Sequence, residues 1–312
     1  MITQRSSRAL AAAVLAVLSF GCNATTAPDN RVGTERPSEN EVVGATRPLP
    51  KRGDFILFHQ GRDLFAIRPN GSGRINFTKH IEPRAGIGKW SPNGSRIAFG
   101  CEYIDAYGSE ICLIESDGTV RRLTRIKGDD ADPDWSPDGR WIVFRHSSPG
   151  HTCTHACGGP DGLHAVSAAG GEVKVVTQNS GLYPSWGKEG IAYIARTPKI
   201  VVVDYDSGER DTLLAVEDVP YVADPDWSHD GRRIAFVVPK GMQPYIAVAR
   251  ADGKRIRLLG IGTNPAWSPN GNEIVFHGAD GISLMRADGS GSRSLVRGMF
   301  PDWGRQRNDR GR

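Results

Sequence analysis

Three aspartates at alternate positions, Asp130, Asp132 and Asp134, and a run of imidazoles and thiols, His146, His151, Cys153, His155 and Cys157, are the residues of this sequence most suited to chemistry. Alternating carboxylates could open a calcium loop or form a catalytic acid cluster. The calcium reading fails on spacing. The glycine position of such a loop holds Trp135, and the position of its bidentate glutamate holds Trp141. The Cys/His run, followed shortly by His164, offers soft ligands for zinc or copper if the thiols stay reduced. Its spacing fits none of the usual zinc patterns. With Cys22 set aside, an even number of cysteines remains, which in an exported chain favours two disulfides, Cys101 with Cys112 and Cys153 with Cys157. No metal and no cofactor is expected. There is no G-x-S-x-G elbow and no P-loop. His59, His80, His229 and His277 are scattered through the chain, so no catalytic residue is assigned.

The acids fall into place once the chain is searched for repeats. GKWSPNGSRIAFG begins at Gly88, PDWSPDGRWIVF at Pro133, PSWGKEGIAYIA at Pro184, PDWSHDGRRIAFV at Pro225 and PAWSPNGNEIVFH at Pro265, with a truncated FPDWGRQ at Phe300. The repeated residues Trp90, Trp135, Trp186, Trp227, Trp267 and Trp303 stand roughly 40 residues apart, the length of a four-stranded propeller blade. With 38 Gly and 20 Pro in 312 residues, few stretches could run as an uninterrupted helix. Each copy reads as a P-x-W strand, a tight Asp/Asn-Gly turn, a β-branched strand such as WIVF, a third strand such as KIVVVD, and a short fourth. Asp138 recurs as Asn93, Asp230 and Asn270 ahead of Gly, which marks a turn position. Asp134 recurs as Asp226 and Asp302, while Lys89, Ser185 and Ala266 hold the same place elsewhere. Both positions read as structural.

The ends of the repeat array predict a closed ring. The last copy has a P-x-W strand and nothing after it, whereas residues 54–78 hold three strands with no P-x-W before them. Strands 54–78 pairing with 300–303 would complete a sixth blade and remove an exposed sheet edge. The expected fold is all-β, a six-bladed propeller of four-stranded blades over 54–304. The repeated W-S-P-[DN]-G-x-x-I-[AV]-F with its following D-G turn resembles the TolB-type propeller repeat across residues 54–303. The resemblance implies a periplasmic propeller. True TolB proteins also bind peptidoglycan-associated lipoproteins and carry an α/β domain before the propeller, where this sequence has only a short tether. Similar repeats occur in propeller domains of serine peptidases and in polysaccharide lyases, so the fold leaves function open.

Ahead of the array, MITQRSSRALAAAVLAVLSFGC has Arg5 and Arg8 before a short apolar run, the pattern of a secretory signal over 1–21. Gly21-Cys22 resembles a bacterial lipoprotein signal, with Cys22 as the lipid attachment residue, although Leu18 and Ser19 depart from the usual pattern. A cleaved, soluble exported protein is the alternative. Residues 22–53 are polar and Pro-rich and predict a flexible tether; 305–312 predict a basic tail. The formal charge of +4 falls to about +2 when Arg5 and Arg8 leave with the signal. No basic stripe interleaved with aromatics is present, so no nucleic-acid partner is expected.

One repeat position varies in chemistry while its place is fixed. Three residues before each Trp stand Ile87, Asp132, Tyr183, Asp224, Asn264 and Phe300. If the first strand of each blade lines the axis, these residues ring one mouth of the channel. Asp132, Tyr183, Asp224 and Asn264 are the candidate partner-binding residues; solvated side chains at strand starts are the plain alternative. The expected function is an exported, lipid-anchored binding or scaffold module, periplasmic or cell-surface and monomeric. It would engage an envelope protein segment or a small ligand, and touch the membrane only through its lipid. The alternative is a channel-mouth enzyme of the polysaccharide lyase or hydrolase type.

Overall fold

The computed structural model describes residues 41–51, 53–102, 108–149, 162–178, 180–195, 198–216 and 219–306. The expected signal segment, Cys22, Cys153, Cys157 and the end of the basic tail lie outside these residues. Among the described residues there are strands and turns and no helix. The strands form six antiparallel sheets, each built outward from an inner strand ending near the motif Trp.

Blade one runs Arg84–Trp90, Ile97–Glu102, Ser109–Ile114 and Thr119–Arg122. Blade two runs Asp129–Trp135, Trp141–Ser147, Gly162–Ser167 and Lys174–Val175. Blade three runs Leu182–Gly187, Gly190–Ile194, Lys199–Val203 and Arg210–Ala215. Blade four runs Ala223–Trp227, Arg233–Lys240, Gln243–Arg250 and Arg257–Ile261. Blade five runs Thr263–Trp267, Glu273–Gly278, Gly281–Arg286 and Arg293–Val296. Blade six takes its inner strand, Met299–Gln306, from the C-terminal end and Gly53–Gln60, Asp63–Ile67 and Ile75–Asn76 from the N-terminal part. Its register pairs Gly53 with Gln306, Ile56 with Trp303 and His59 with Met299. The ring therefore closes as the repeat predicts. The closing strand also takes in Arg305 and Gln306, which the sequence reading placed in the tail.

The second strands are covered on both faces because each lies between two neighbouring blades. Ile97, Ala98 and Phe99, like Ile142, Val143 and Phe144, are fully buried. Ala98, Ile111 and Leu113 of blade one meet Trp135, Ile142 and Phe144 of blade two in a single cluster. At about 2 kcal/mol for each large side chain removed from water, such interleaved layers hold the ring together. The Asp/Asn-Gly turns form as expected. Asp138 Oδ1 accepts hydrogen bonds from Ser136 Oγ at 2.6 Å and from Arg140 N at 3.0 Å, and Gly139 takes a φ of 70° that suits glycine.

One expectation needs correction. Residues 41–51 do not form a free tether. Val42–Ala45 add a fifth strand to blade one, pairing Val42 with Arg121 and Ala45 with Thr119. Val43 and Leu49 pack into the core cluster of that blade. The open backbone edge of Thr119–Arg122 supplies the pairing groups, which a polar composition does not reveal. The expected Cys101–Cys112 disulfide is present, and its cysteines are offset in the ladder. Cys101 pairs with Glu110 and Cys112 with Phe99, so the bridge runs diagonally with Cα atoms 5.8 Å apart. A shift of two residues keeps both side chains on the same face, and so still permits the bond.

Candidate functional site

All six ring residues line a single cavity on the propeller axis, with Ile87, Asp132, Tyr183, Asp224, Asn264 and Phe300 joined there by Lys89 and the motif prolines. Five of the six adopt left-handed backbone: φ is 54° at Asp132, 51° at Tyr183, 49° at Asp224, 49° at Asn264 and 52° at Phe300. Asp and Asn tolerate this region, whereas for Tyr and Phe it carries a cost on the order of 1–2 kcal/mol. In each of the five a proline follows, and its ring excludes the right-handed helical region for the residue before it. Ile87 precedes Gly88 instead and has no such conformation. Every inner strand is bulged at this level, for example between Thr263 and Ala266. A bulge re-aims side chains, here around the axis.

Just inside the ring the residues before each Trp form a charged layer. Asp302 Oδ2 accepts the Trp90 backbone N–H at 2.8 Å, Asp134 Oδ2 that of Trp186 at 2.6 Å and Asp226 Oδ2 that of Trp267 at 2.9 Å. Ser185 Oγ takes the same bond from Trp227 at 3.0 Å. The structural reading of this position thus has a cause: each acid latches its blade to the next. Lys89, which replaces the acid in blade one, points its ammonium at Asp302 Oδ1 (3.2 Å) and Asp226 Oδ1 (3.4 Å).

Burial dominates the electrostatics of this layer. It pushes the Asp134 carboxyl up to about 7, against the attraction of Lys89 and the Trp186 N–H. It pushes Asp224 up to about 6, helped by the charge of Asp132 and opposed by the hydrogen bond from Asn264. Asp226 is raised by burial too. Burial alone would lower the Lys89 ammonium, but Asp302, Asp226 and Asp134 together outweigh it and raise it. Tyr183 is raised by burial and by the nearby charges of Asp224 and Asp132. These carboxylates are already engaged: Asp132 accepts from Arg145 Nε at 3.1 Å, and Asp224 Oδ2 from Asn264 N at 3.1 Å. The shifts of Asp134, Asp224 and Asp226 follow from desolvation among hydrogen-bonded partners and do not require an acid–base reaction.

The cavity measures about 60 Å³, room for a few waters and far below the roughly 300 Å³ at which small-molecule pockets begin. Sequence reasoning missed Lys89 and Arg145 as parts of the site. Lys89 carried a signal, a reversed charge at a position otherwise held by Asp, Ser or Ala. Arg145 carried none, because its partner Asp132 lies on the neighbouring strand. The Cys/His run divides as well. His146 Nδ1 lies 2.7 Å from buried Asp130 Oδ1 and its ring stacks on His164 at 4.6 Å, while His151, Cys153, His155 and Cys157 lie outside the described residues. Among the described residues no group of three or more His, Cys, Asp or Glu is arranged to hold a metal ion.

No protein-family model matches the sequence. The Tol-Pal system protein TolB of Anaeromyxobacter dehalogenans is 30% identical over 134 residues, 40% of this chain and 30% of that protein's length. TolB from Acinetobacter baumannii superposes with a TM-score of 0.66 at 20% identity, over 80% of this chain and 66% of that one. A structure described as a putative TolB from Agrobacterium tumefaciens superposes at 0.60 with 21% identity, over 81% and 90% of the two chains. Repeat, blade architecture and these likenesses agree: the chain is a six-bladed β-propeller, similar in sequence and in fold to TolB proteins.

Proposed function

We propose that this propeller is an exported, lipid-anchored binding module of the cell envelope, without catalytic activity, that receives a segment of a partner protein at the channel mouth. Asp132, Tyr183, Asp224 and Asn264 make the contacts, and Cys22 carries the lipid. The supporting observation is the ring itself. One repeat position, held in left-handed backbone in five blades, faces a common cavity with Asp in two of them and Tyr, Asn and Phe in the others. A scaffold residue would be expected to repeat its chemistry, as the Trp does. The small cavity favours the tip of a protein segment over a whole small molecule. The sequence relative's assignment to a Tol-Pal system is consistent with an envelope partner.

The test is crosslinking and affinity capture from the native envelope with the wild-type chain and with Asp132→Asn/Asp224→Asn. Asn keeps the left-handed preference, so the ring stays intact while two carboxylates are lost. Loss of a specifically enriched partner supports the reading; equal enrichment by both proteins removes it.

A further inference from the structure

Away from the channel, six large hydrophobic side chains are exposed among the described residues, and three of them sit together: Ile256 at 46%, Leu258 at 41% and Ile261 at 40%. They flank or lie on Arg257–Ile261, the outermost strand of blade four, whose far edge pairs with no other strand among the described residues. The segment reads KRIRLLGI from Lys254 to Ile261 and contains no acid. Arg293–Val296 of blade five also lacks an acid, but its Leu295 and Val296 are half-buried against a core cluster rather than exposed; the remaining outer strands differ in length or charge. Lys174–Val175 and Ile75–Asn76 are short, and Arg210–Ala215 carries Asp211 and follows Glu209.

Blade one shows how a strand is received on such an edge. Val42–Ala45 pair with its outer strand, the Arg122 N–H donates to Glu41 O at 3.0 Å, and the Glu41 carboxylate meets Arg125. A guest strand in this fold thus combines a backbone ladder, an apolar side chain directed at the sheet and a carboxylate on a basic edge.

We propose that the edge Arg257–Ile261 docks an extended acidic segment of a partner protein, which adds to blade four as a fifth strand. Free backbone groups supply the ladder, Ile256, Leu258 and Ile261 grip alternate apolar side chains, and Lys254 and Arg255 meet the acids. Arg257 contributes charge while its guanidinium holds Ala287 O of blade five at 2.9 Å. This surface is separate from the mouth, so either can fail without the other.

The test uses the full chain, a short acetylated peptide alternating Glu and Val, and a matched peptide alternating Lys and Val. At low salt the acidic peptide should bind at least about tenfold more tightly than the basic one, and lose affinity as salt rises. Hydrogen exchange should slow at the amides of Arg257–Ile261 when the acidic peptide is present. Lys254→Glu with Arg255→Asn should abolish the preference, while Asp224→Asn should leave it intact. Asn suits the positive φ of 58° at Arg255. Equal binding of the two peptides, or protection on another blade's edge, would overturn the proposal. So would charge-dependent binding to phosphatidylcholine–phosphatidylglycerol vesicles with no protection by peptide, which would identify a membrane-facing patch. The exchange result on the unmodified chain stands even if the double variant misfolds.

Discussion

The Lys89 ammonium of blade one lies 3.2 Å from the Asp302 carboxylate of blade six, across the seam where the two ends of the repeat array meet. Asp302 also accepts the Trp90 N–H, so one side chain ties the seam by charge and by backbone hydrogen bond. Removing the cation leaves Asp302 and Asp226 without their partner in a poorly solvated layer. Lys89→Met should therefore destabilise the fold by about 3 kcal/mol. Urea denaturation of the variant beside wild type measures this, and an unchanged midpoint would show that water screens the acids.

Asp134 fixes a pH dependence. Its carboxyl is raised from 3.8 to about 7 on folding, so between those values the folded chain holds a proton that the unfolded chain has released. Stability from this group then falls as pH rises from about 4 to about 7. Lys89, raised above its ordinary value, contributes a constant amount over the same window. The lowered imidazoles of His59 and His277 act oppositely, costing stability as pH drops below 6.5. The comparison with Asp134→Asn isolates the carboxyl. Wild type should lose stability relative to the variant on going from pH 4 to pH 7, as read by melting temperature. A constant difference would refute the shift.

Leu49 anchors the added strand of blade one and is buried in that blade's core. Leu49→Ala should cost about 2–3 kcal/mol. It should also speed proteolysis within residues 41–51 more than in the ring. Limited proteolysis with mass mapping would show this, and uniform cleavage would argue that the strand is incidental.

Reducing the Cys101–Cys112 bridge should lower stability by about 2–3 kcal/mol, as expected for a short closed loop. Denaturation with and without reductant measures it. With Cys22→Ser in place, thiol titration of the denatured, unreduced chain should find no free thiol if Cys153 and Cys157 are paired as proposed. Two free thiols would refute that second bridge.

At the mouth, Asp132→Asn/Asp224→Asn should leave the melting temperature within a few degrees of wild type while lowering partner capture about tenfold or more. Phe300→Ala offers a second probe that changes shape without changing charge. A partner indifferent to both would place its binding surface elsewhere.

Much of the fold was legible because a propeller repeats its local rules. The six Trp, the Asp138-type turns and the incomplete terminal copies specified the blades and their closure, since each blade needs its neighbours to bury its faces. The mouth ring was legible for a related reason: Asp132, Tyr183, Asp224 and Asn264 share a register, and register fixes position around the axis. The Cys101–Cys112 bridge was legible from the cysteine count, but its diagonal offset was not, because a two-residue slip in pairing preserves the face. Nor was the fifth strand at Val42–Ala45, whose partner edge exists only once blade one has formed. Lys89 with Asp302, and Asp132 with Arg145, belong to the same class. The sequence determined which residue types occupy each repeated position. The closed ring alone decided which charges meet, because those contacts join separate blades and strands whose distances no local pattern encodes.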